Sequence, residues 1–394
     1  MSLPVLEQDP REDGFVQDPY PFYDRVRVAG PLVDWPQMGM PVSARHYLVN
    51  AILRDRRFGR ENPFPQEVPA HVEPFYAVDR LSLLDREPPV HTRLRRLITR
   101  AFTPRTVEAL RPDIAELSHE LIGGLRPGCD LLTTFCERLP VIVICRLLGV
   151  PEDRADDLLA WSHAMVAMYQ VRRDRAVEDA AVAATTEFRA FLEGYLNERR
   201  AAPRNDLISA LIAAEEEGER LSADELIATC ILLLNAGHEA TVHALGNGVR
   251  ALIETGQWTA QDPAKLAEEV LRFDPPLHFF SRYAMEDVEV EGHRFARGEQ
   301  VGLLLAGANR DPQVWDDPAR FDPTRDPGPQ LALGAGLHFC IGAPLARLEV
   351  GIALPILIAR LPTLALADAP RFADRWHFHG LEHLIVTFDR VEPR

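Results

Sequence analysis

One stretch decides how this chain is interpreted: Leu333-Gly334-Ala335-Gly336-Leu337-His338-Phe339-Cys340-Ile341-Gly342-Ala343-Pro344. Its glycines allow the backbone to bend where a side chain would clash. Pro344 suits the first turn of a helix, and the apolar spacing after it predicts a largely buried helix. Cys340 therefore lies just before a helix N-terminus, where backbone N–H groups favour the thiolate form. A protected thiolate suits a soft metal or a haem iron.

Two simpler interpretations of Cys340 stand beside this one. A lone cysteine is most often a buried apolar residue. A catalytic Cys–His pair of Cys340 and His338 is the second alternative, although nothing upstream supplies a group that would orient the histidine.

The pattern Gly-x-Gly-x-His-x-Cys-x-Gly, from Gly334 to Gly342, resembles the haem-binding loop of the cytochrome P450 family. The family pattern usually begins with Phe where this chain has Leu333. The resemblance implies that Cys340 is the iron ligand and that Gly334 and Gly342 shape the loop. It also implies that His338 contacts a haem propionate.

The composition excludes several other classes of protein. The 394 residues contain no linker or low-complexity stretch, so we predict a single domain over residues 1–394. A net charge of −16 argues against nucleic-acid binding. Five cysteines without a C-x-x-C pair argue against disulfides or a zinc site and favour a reducing compartment. The chain has neither a signal-peptide core nor a long apolar run, so we expect a cytoplasmic protein without a membrane segment.

The periodicity predicts a mainly α fold. Apolar residues at helical spacing cover most of residues 106–217, whereas residues 279–305 alternate as strands do, with turns at Gly292 and Gly298. Residues 42–49 have weak strand character, residues 51–56 are predicted helical, and the proline-rich residues 61–80 are predicted to form an irregular loop. The resemblance implies the cytochrome P450 fold, a triangular helix-rich domain with small peripheral β-sheets.

A long helix is predicted to begin at Ser222-Ala223-Asp224-Glu225, which has the form of a capping box, and to continue to Ile253. About 33 residues at a rise of 1.5 Å give a length of roughly 50 Å. The middle of this helix has the sequence Asn235-Ala236-Gly237-His238-Glu239-Ala240-Thr241. A glycine inside a helix lowers its stability by about 1 kcal/mol relative to alanine, and packing alone gives no reason for Gly237. The segment resembles the oxygen-binding kink of the P450 central helix, usually Ala-Gly-x-Asp/Glu-Thr-Thr.

This resemblance implies that Glu239 is the acid that supplies protons to bound oxygen, whereas Ala240 replaces the Thr that normally organises water. Thr241 follows, but the next residue of a helix lies about 100° round the axis, so Thr241 need not substitute. We expect proton delivery through ordered water or through a hydroxyl group of the substrate. The alternative is that water suffices and Ala240 is merely tolerated.

His91 and Arg95 lie four residues apart and so share one face of a predicted helix. Such a pair is most often part of a solvated basic face, but it also resembles the family element H-x-x-x-R, whose side chains reach the haem propionates. By the same resemblance Arg282, predicted to precede the first strand, contacts a propionate. The arginines of the helix that would point outward, towards an acidic redox partner, are Arg93, Arg96 and Arg100.

Glu269 and Arg272 form the family's E-x-x-R element, and Arg325 is the natural third member of this internal network. A buried pair of charges fixes the local geometry more surely than it stabilises the folded protein. We therefore predict a structural rather than a catalytic role for these residues.

The resemblance implies a monooxygenase that hydroxylates, or O- or N-dealkylates, an apolar small molecule such as a terpenoid, polyketide or steroid. It implies haem b, dioxygen, and electrons from NAD(P)H through a separate reductase and a ferredoxin or flavodoxin. The substrate pocket predicted by alignment comprises Leu232, Asn235, Ala236, Phe279, Phe280 and Phe378. The histidines predicted to be either polar handles of that pocket or surface residues are His278, His377 and His379. Two alternatives remain: a haem-thiolate peroxygenase, isomerase or coupling enzyme, and a haem-based sensor.

Overall fold

A computed structural model describes residues 2–65, 67–169, 173–214 and 218–394. The fold is mainly α with small β-sheets, as predicted. The chain forms two compact units. Unit 1 comprises Met1–Phe64, Ala115–Cys136 and Ala240–Arg394, and unit 2 comprises Pro65–Ile114 and Glu137–Glu239. None of the described helices is both long and apolar enough to cross a membrane.

In chain order the α-helices are α1 Asp13–Gln17, α2 Tyr20–Ala29, α3 His46–Arg54, α4 Glu73–Asp79, α5 Val90–Ala101, α6 Pro104–Glu108, α7 Arg111–Gly124, α8 Arg138–Leu148, α9 Ala155–Val166, α10 Arg175–Ala201, α11 Leu207–Ala213, α12 Ala223–Glu254, α13 Pro263–Phe273, α14 Leu305–Ala308 and α15 Ala343–Arg360. The strands are β1 Val33–Trp35, β2 Met40–Ser43, β3 Phe58–Gly59, β4 Phe279–Ala284, β5 Val288–Val290, β6 His293–Phe295, β7 Gln300–Leu304, β8 Ala365–Leu366 and β9 Val386–Thr387.

The strands belong to unit 1. Five of them form a sheet in the order β1-β2-β7-β4-β3, in which β2 and β7 are parallel and the other neighbours antiparallel. The long β4–β7 ladder pairs Phe280 with Leu303 and Arg282 with Val301. Gly292, with a φ of 72°, provides the turn between β5 and β6, and Gly298, with a φ of 92°, lies between β6 and β7. The two predicted glycine turns are therefore confirmed.

Helix α12 has the predicted bounds and the predicted cap. The Ser222 backbone N–H donates to Glu225 Oε2 at 2.9 Å, and the Glu225 N–H donates to Ser222 Oγ at 3.2 Å. This reciprocal pair satisfies two of the N–H groups that a helix start leaves without partners. The helix runs without interruption to Glu254, and Gly256 follows with a φ of 68°.

Three local predictions were wrong. Residues 61–80 are not wholly irregular, because a 3-10 turn at Ala70–Val72 leads into α4. Pro74 lies in the first turn of α4, where proline needs no N–H partner, so the density of prolines was misleading. The strand predicted over residues 42–49 ends at Ser43, and α3 already begins at His46. Arg282 lies within β4 rather than before it.

The core of unit 1 has two clusters that hold the functional elements in place. One cluster packs Ile52 and Leu53 of α3 with Leu331 and Ala335, which flank the start of the cysteine loop. The other is aromatic and centres on Trp35 and its neighbours beside the first helices. The cysteine loop thus rests on a rigid apolar layer, as a site that must keep its geometry requires.

Candidate functional site

The loop before α15 presents Cys340 in a constrained backbone. Gly334 and Gly336 have φ values of 70° and 69°, which side-chain-bearing residues adopt only with strain. The Cys340 N–H donates to the Leu333 carbonyl at 3.0 Å, which closes the loop. Helix α15 begins at Ala343, with Pro344 in its first turn. Cys340 is only partly buried, so the structure places it before a helix N-terminus and leaves its sulfur accessible to a ligand.

Gly336 and Gly342 of this loop differ in what a side chain would meet, and of the two only Gly336 is sterically required. A Cβ at Gly336 would lie 2.3 Å from the Leu53 carbonyl oxygen, so α3 approaches the loop too closely for any side chain. A Cβ at Gly342 would lie 3.7 Å from Cys340 Sγ, in van der Waals contact. Glycine at position 342 therefore leaves one side of the sulfur uncovered.

Arg282 is a buried cation of the same unit, linked to this loop through Phe280. It is 2% exposed, and its guanidinium donates to the Ser281 carbonyl at 2.8 Å and lies 5.8 Å from the Phe280 ring centroid. The same Phe280 ring lies 3.6 Å from the position of a Cβ at Gly334. A buried guanidinium is favourable only beside anions or other acceptors. His338, half-buried, ends the 3-10 turn Gly336–His338.

These residues of unit 1 fit a haem. A thiolate is a haem-iron ligand, and an arginine and an imidazole are donors for carboxylates such as the propionates. The residues that would hold the group in this unit are Cys340, His338 and Arg282.

In unit 2, α5 places His91 and Arg95 on one face, with His91 fully buried and Arg95 half-buried. A solvated basic face does not describe this pair, since the imidazole is removed from water. The prediction that Arg93 points outward is wrong, because its guanidinium pairs with Glu225 of α12. Arg96 and Arg100 are exposed, as predicted.

Glu239 is buried in unit 2 between two histidines. His163 Nε2 of α9 lies 3.4 Å from Glu239 Oε2, and His238 Nε2 lies 3.5 Å from the same oxygen. The Glu239 side chain is 4% exposed, whereas His163 is 45% exposed. Neither histidine was predicted from the sequence to be a partner of Glu239. His163 lies on a different helix, and only the adjacency of His238 and Glu239 could have signalled the cluster.

Ala240 and Thr241 face different surroundings. Ala240 is half-buried, whereas Thr241 is buried and its hydroxyl acts on Glu349 of α15, within unit 1. Burial raises the pKa of Glu349 from 4.5 to about 8, and the Thr241 hydroxyl partly offsets that rise. Thr241 thus lies on a different side of the helix from Ala240, as the rotation of about 100° per residue predicts.

The predicted pocket residues of α12 form an open face. Leu232, Ala236 and Ala240 recur every four residues, and Ala236 is exposed while Leu233, Leu234 and the following His238 are buried. Asn235 lies beside this face, and its amide contacts Met165 Sδ at 3.7 Å.

The aromatic residues predicted for the pocket do not act together. Phe279 and Phe280 point to opposite faces of β4, since side chains alternate along a strand. Phe279 lies 5.5 Å from Trp376 in the aromatic cluster, whereas Phe280 packs under the cysteine loop. Phe378 pairs with Leu277, just before β4, and its ring centroid lies 6.3 Å from that of His243.

His278 and His379 are neither pocket handles nor surface residues; both are fully buried around Asp274. Asp274 Oδ1 lies 3.2 Å from His278 Nε2 and 3.0 Å from His379 Nδ1, and it accepts the Tyr20 hydroxyl at 2.8 Å. Burial alone would raise the pKa of Asp274, but these partners and Arg250 hold it well below its usual range. Burial lowers the pKa of His278 to about 3. His377 is half-buried.

The structure brings the predicted internal network together. Arg272 Nε donates to Glu269 Oε2 at 2.7 Å, and Arg325 Nε lies 3.5 Å from the same oxygen. Arg272 also donates to the carbonyl of Asn309, and the Asp322 N–H donates to Glu269 Oε1. Both charges of the Glu269–Arg272 pair are thus satisfied without water, as burial requires.

Comparison with known proteins identifies relatives over nearly the whole chain. The family model described as Cytochrome P450 matches residues 265–371, which include both the internal network and the cysteine loop. The biotin biosynthesis cytochrome P450 of Bacillus subtilis (strain 168) is 34% identical over 95% of this chain and 97% of its own length. The vitamin D(3) 25-hydroxylase of Pseudonocardia autotrophica is 38% identical over 95% of this chain and 94% of its own.

A solved structure with similar architecture is P450BioI in complex with an acyl carrier protein ligated to hexadec-9Z-enoic acid. It superposes with a TM-score of 0.90 at 33% identity and covers 96% of this chain and 99% of its own. The agreement therefore extends well beyond the part that the family model matches.

Proposed function

This chain belongs to the cytochrome P450 family, and from that membership we propose how its own residues serve a haem-dependent monooxygenase. We propose that Cys340 is the thiolate ligand of haem b and that His338 and Arg282 donate to its propionates. His91 and Arg95 are proposed for the same task, on the resemblance of their motif. A haem held by a cysteine thiolate activates dioxygen and favours cleavage of its O–O bond.

The observation that carries this proposal is the backbone around Cys340. Two residues with positive φ and a glycine beside the sulfur keep the thiol accessible in front of a helix N-terminus. Neither a core cysteine nor a Cys–His nucleophile needs that combination. Replacement of Cys340 by Ser tests the assignment: the parent should give the red-shifted ferrous–CO absorption of a thiolate complex, and the variant should lose it. A parent spectrum typical of imidazole ligation would overturn the proposal.

We propose that Glu239 holds and releases the protons that the reaction consumes. Its burial keeps water away from the carboxylate, and its contact with the partly exposed His163 links it to solvent. Ala240 provides no hydroxyl, and the hydroxyl of Thr241 lies near Glu349. Protons therefore pass through water or through a hydroxyl of the bound substrate.

Replacement of Ala240 by Thr separates these two routes. If the substrate hydroxyl takes part, the variant should recover coupling of NAD(P)H oxidation to product with a substrate analogue that lacks the hydroxyl. The natural substrate should gain little. Thr241→Val is the matched control, because its hydroxyl faces another partner and its loss should leave coupling unchanged. Equal coupling of parent and Ala240→Thr with both substrates would refute the substrate-assisted route.

The proposed substrate is an extended apolar molecule that carries an oxygen function. The open face of Leu232, Ala236 and Ala240 is apolar and made of small side chains near its centre, and polar groups beside it are few. One relative is named for a vitamin D(3) hydroxylation, and another was crystallised with a fatty acyl chain on its carrier protein. Both are consistent with an elongated apolar substrate.

A spectral titration of the ferric protein tests the substrate class. Free fatty acids, the same acyl chains on acyl carrier protein, steroids and macrolides are compared. Conversion to high spin by one class identifies it, since a bound substrate displaces water from the iron. A response to none of them refutes the proposed class. Labelled dioxygen should then place one oxygen atom in the product.

We propose that electrons come from NAD(P)H through a separate reductase and a ferredoxin or flavodoxin. The exposed arginines Arg96 and Arg100 on α5 provide a positive surface for an acidic partner. None of the five cysteines is in a disulfide, which is consistent with the proposed cytoplasmic location.

A second candidate is peroxide-driven turnover. The observation that favours it is the missing hydroxyl at Ala240, because hydrogen peroxide already contains the two protons that dioxygen needs. Product formed from peroxide without a reductase, at a rate equal to that with the complete electron-transfer chain, would favour this candidate over the monooxygenase.

A further inference from the structure

We propose that His163, His238 and Glu239 form a binding site for a divalent transition-metal ion, of which Zn²⁺ is the representative. Each residue offers one ligand atom, and the three atoms lie within 4.8 Å of one another. The set of two imidazoles and one carboxylate is one that zinc binds with a fourth position left to water. The three residues lie wholly within unit 2.

The distances match a tetrahedral ion. Zinc bonds to nitrogen and oxygen of 2.0–2.1 Å place neighbouring ligands of a tetrahedron roughly 3.3–3.4 Å apart. His163 Nε2 and His238 Nε2 lie 3.4 Å and 3.5 Å from Glu239 Oε2. The ring centroids of the two histidines are 6.1 Å apart, so both rings can approach one ion without contact between them. The third separation, between the two imidazole nitrogens, is at most 4.8 Å.

The tautomer of His238 is already set for metal binding. Its Nδ1 lies 2.7 Å from the Leu234 carbonyl oxygen, which can only accept, so Nδ1 carries a proton. In the neutral ring the lone pair is therefore on Nε2, which faces Glu239 Oε2. Metal-binding histidines commonly donate their other N–H to a carbonyl in this manner. A cation between this nitrogen and the carboxylate oxygen, whether a proton or a metal ion, is therefore favourable.

The burial of the three residues provides both an entrance and a shielded centre. His163 is 45% exposed, whereas the side chains of His238 and Glu239 are 1% and 4% exposed. An ion can therefore meet His163 first and then reach the two buried ligands.

The other histidine–carboxylate cluster, around Asp274, lacks these features. His278, His379 and Asp274 are all buried, and Asp274 Oδ1 already accepts the Tyr20 hydroxyl at 2.8 Å. The cluster therefore offers no ligand that reaches solvent, and its carboxylate oxygen is occupied.

A bound ion would change the proposed reaction, and this consequence rests on the role proposed for Glu239. A carboxylate that coordinates zinc cannot take up and release a proton at the same oxygen. Micromolar zinc should then slow product formation and lower the fraction of electrons that reach product. The site would make turnover sensitive to the metal in the surroundings.

Calorimetric titration of the haem-loaded protein with Zn²⁺ tests the site itself. We expect one tight equivalent in the parent and at least a tenfold weaker affinity in His163→Gln and His238→Gln. His383→Gln is the matched control. It removes an exposed histidine 3.5 Å from the carboxylate of Asp368, a pair without a third ligand, and should bind like the parent.

X-ray absorption of the zinc complex should give a shell of nitrogen and oxygen only. Unchanged affinity in His163→Gln, or sulfur in the shell, would overturn the proposal and assign any zinc to the cysteines. Activity assays with and without zinc distinguish the two proposals. Zinc that binds the parent without slowing it leaves the metal site intact and removes Glu239 from the proton path. Inhibition that persists in His163→Gln comes from another site or from the redox partners.

Discussion

Glu349 of α15 is an acid that the fold keeps in its neutral form. Its side chain is fully buried, and burial raises its pKa from 4.5 to about 8. At neutral pH the native protein therefore holds a proton on Glu349 that the unfolded chain releases. We predict that Glu349→Gln, which mimics the protonated acid and cannot ionise, removes a pH-dependent cost to stability.

The sign and size follow from linkage. Between pH 4.5 and about 8 the native state binds one more proton than the unfolded state, so the free energy of unfolding falls as pH rises. The slope is about 1.4 kcal/mol per pH unit, and the whole interval corresponds to roughly 5 kcal/mol as an upper limit. For 394 residues the unfolding entropy is about 0.8 kcal/mol/K, so the slope equals a change in Tm of about 2 °C per pH unit.

The assay is thermal unfolding of the haem-loaded parent and of Glu349→Gln between pH 5.5 and 7.5. The difference in Tm between them should grow in favour of the variant by about 3 °C over this range. All other titrating groups cancel, because both proteins are compared at each pH. For Glu116→Gln, on the exposed side of α7, the difference in Tm from the parent should stay constant over this pH range. Parallel curves for Glu349→Gln as well would show that Glu349 ionises normally, and would refute the reasoning.

Two further substitutions test the residues that surround the site. Asp274→Asn should lower the free energy of unfolding by about 3–5 kcal/mol, because it weakens a fully buried set of charged hydrogen bonds. Asp368→Asn, in an exposed pair, should change this free energy by almost nothing, and urea unfolding measures both variants. Gly336→Ala should lower the free energy of unfolding by at least about 1–2 kcal/mol from its φ alone. It should also lower haem content, because its Cβ would strike the Leu53 carbonyl. Gly14→Ala, whose Cβ would meet no atom within 4 Å, should retain parental haem content.

The parts of the fold that sequence analysis predicted are those set by local chemistry. The capping box at Ser222 and the turn at Gly256 determine the ends of α12 through contacts a few residues apart. The bend of the cysteine loop was predictable from its glycines and Pro344, although the need for Gly336 also comes from the distant Leu53 carbonyl. The spacing of Glu269 and Arg272 on one helix likewise determines that they meet.

The wrong predictions concern segments whose structure is determined by contacts with residues far away in the sequence. The proline count suggested a loop over residues 61–80, but Phe75 and Val78 are buried, and this burial favours α4 over the loop. Arg93 has the spacing of an outward residue, yet Glu225, far along the chain, holds its guanidinium. The histidines around Asp274 could not be placed, because their environment consists of residues from four separate segments.

The role of the Thr241 hydroxyl also depends on distant residues and could not be predicted from the sequence alone. From the sequence, Thr241 stands one residue from the position of the usual Thr and could be a displaced replacement. In the structure Thr241 is buried and its hydroxyl lies near Glu349, whose pKa burial raises to about 8. Neighbouring residues of a helix are rotated by about 100°, so this hydroxyl lies on a different side of α12 from Ala240. These positions support the proposal that Ala240 changes the proton route and that the substrate or ordered water supplies the missing hydroxyl.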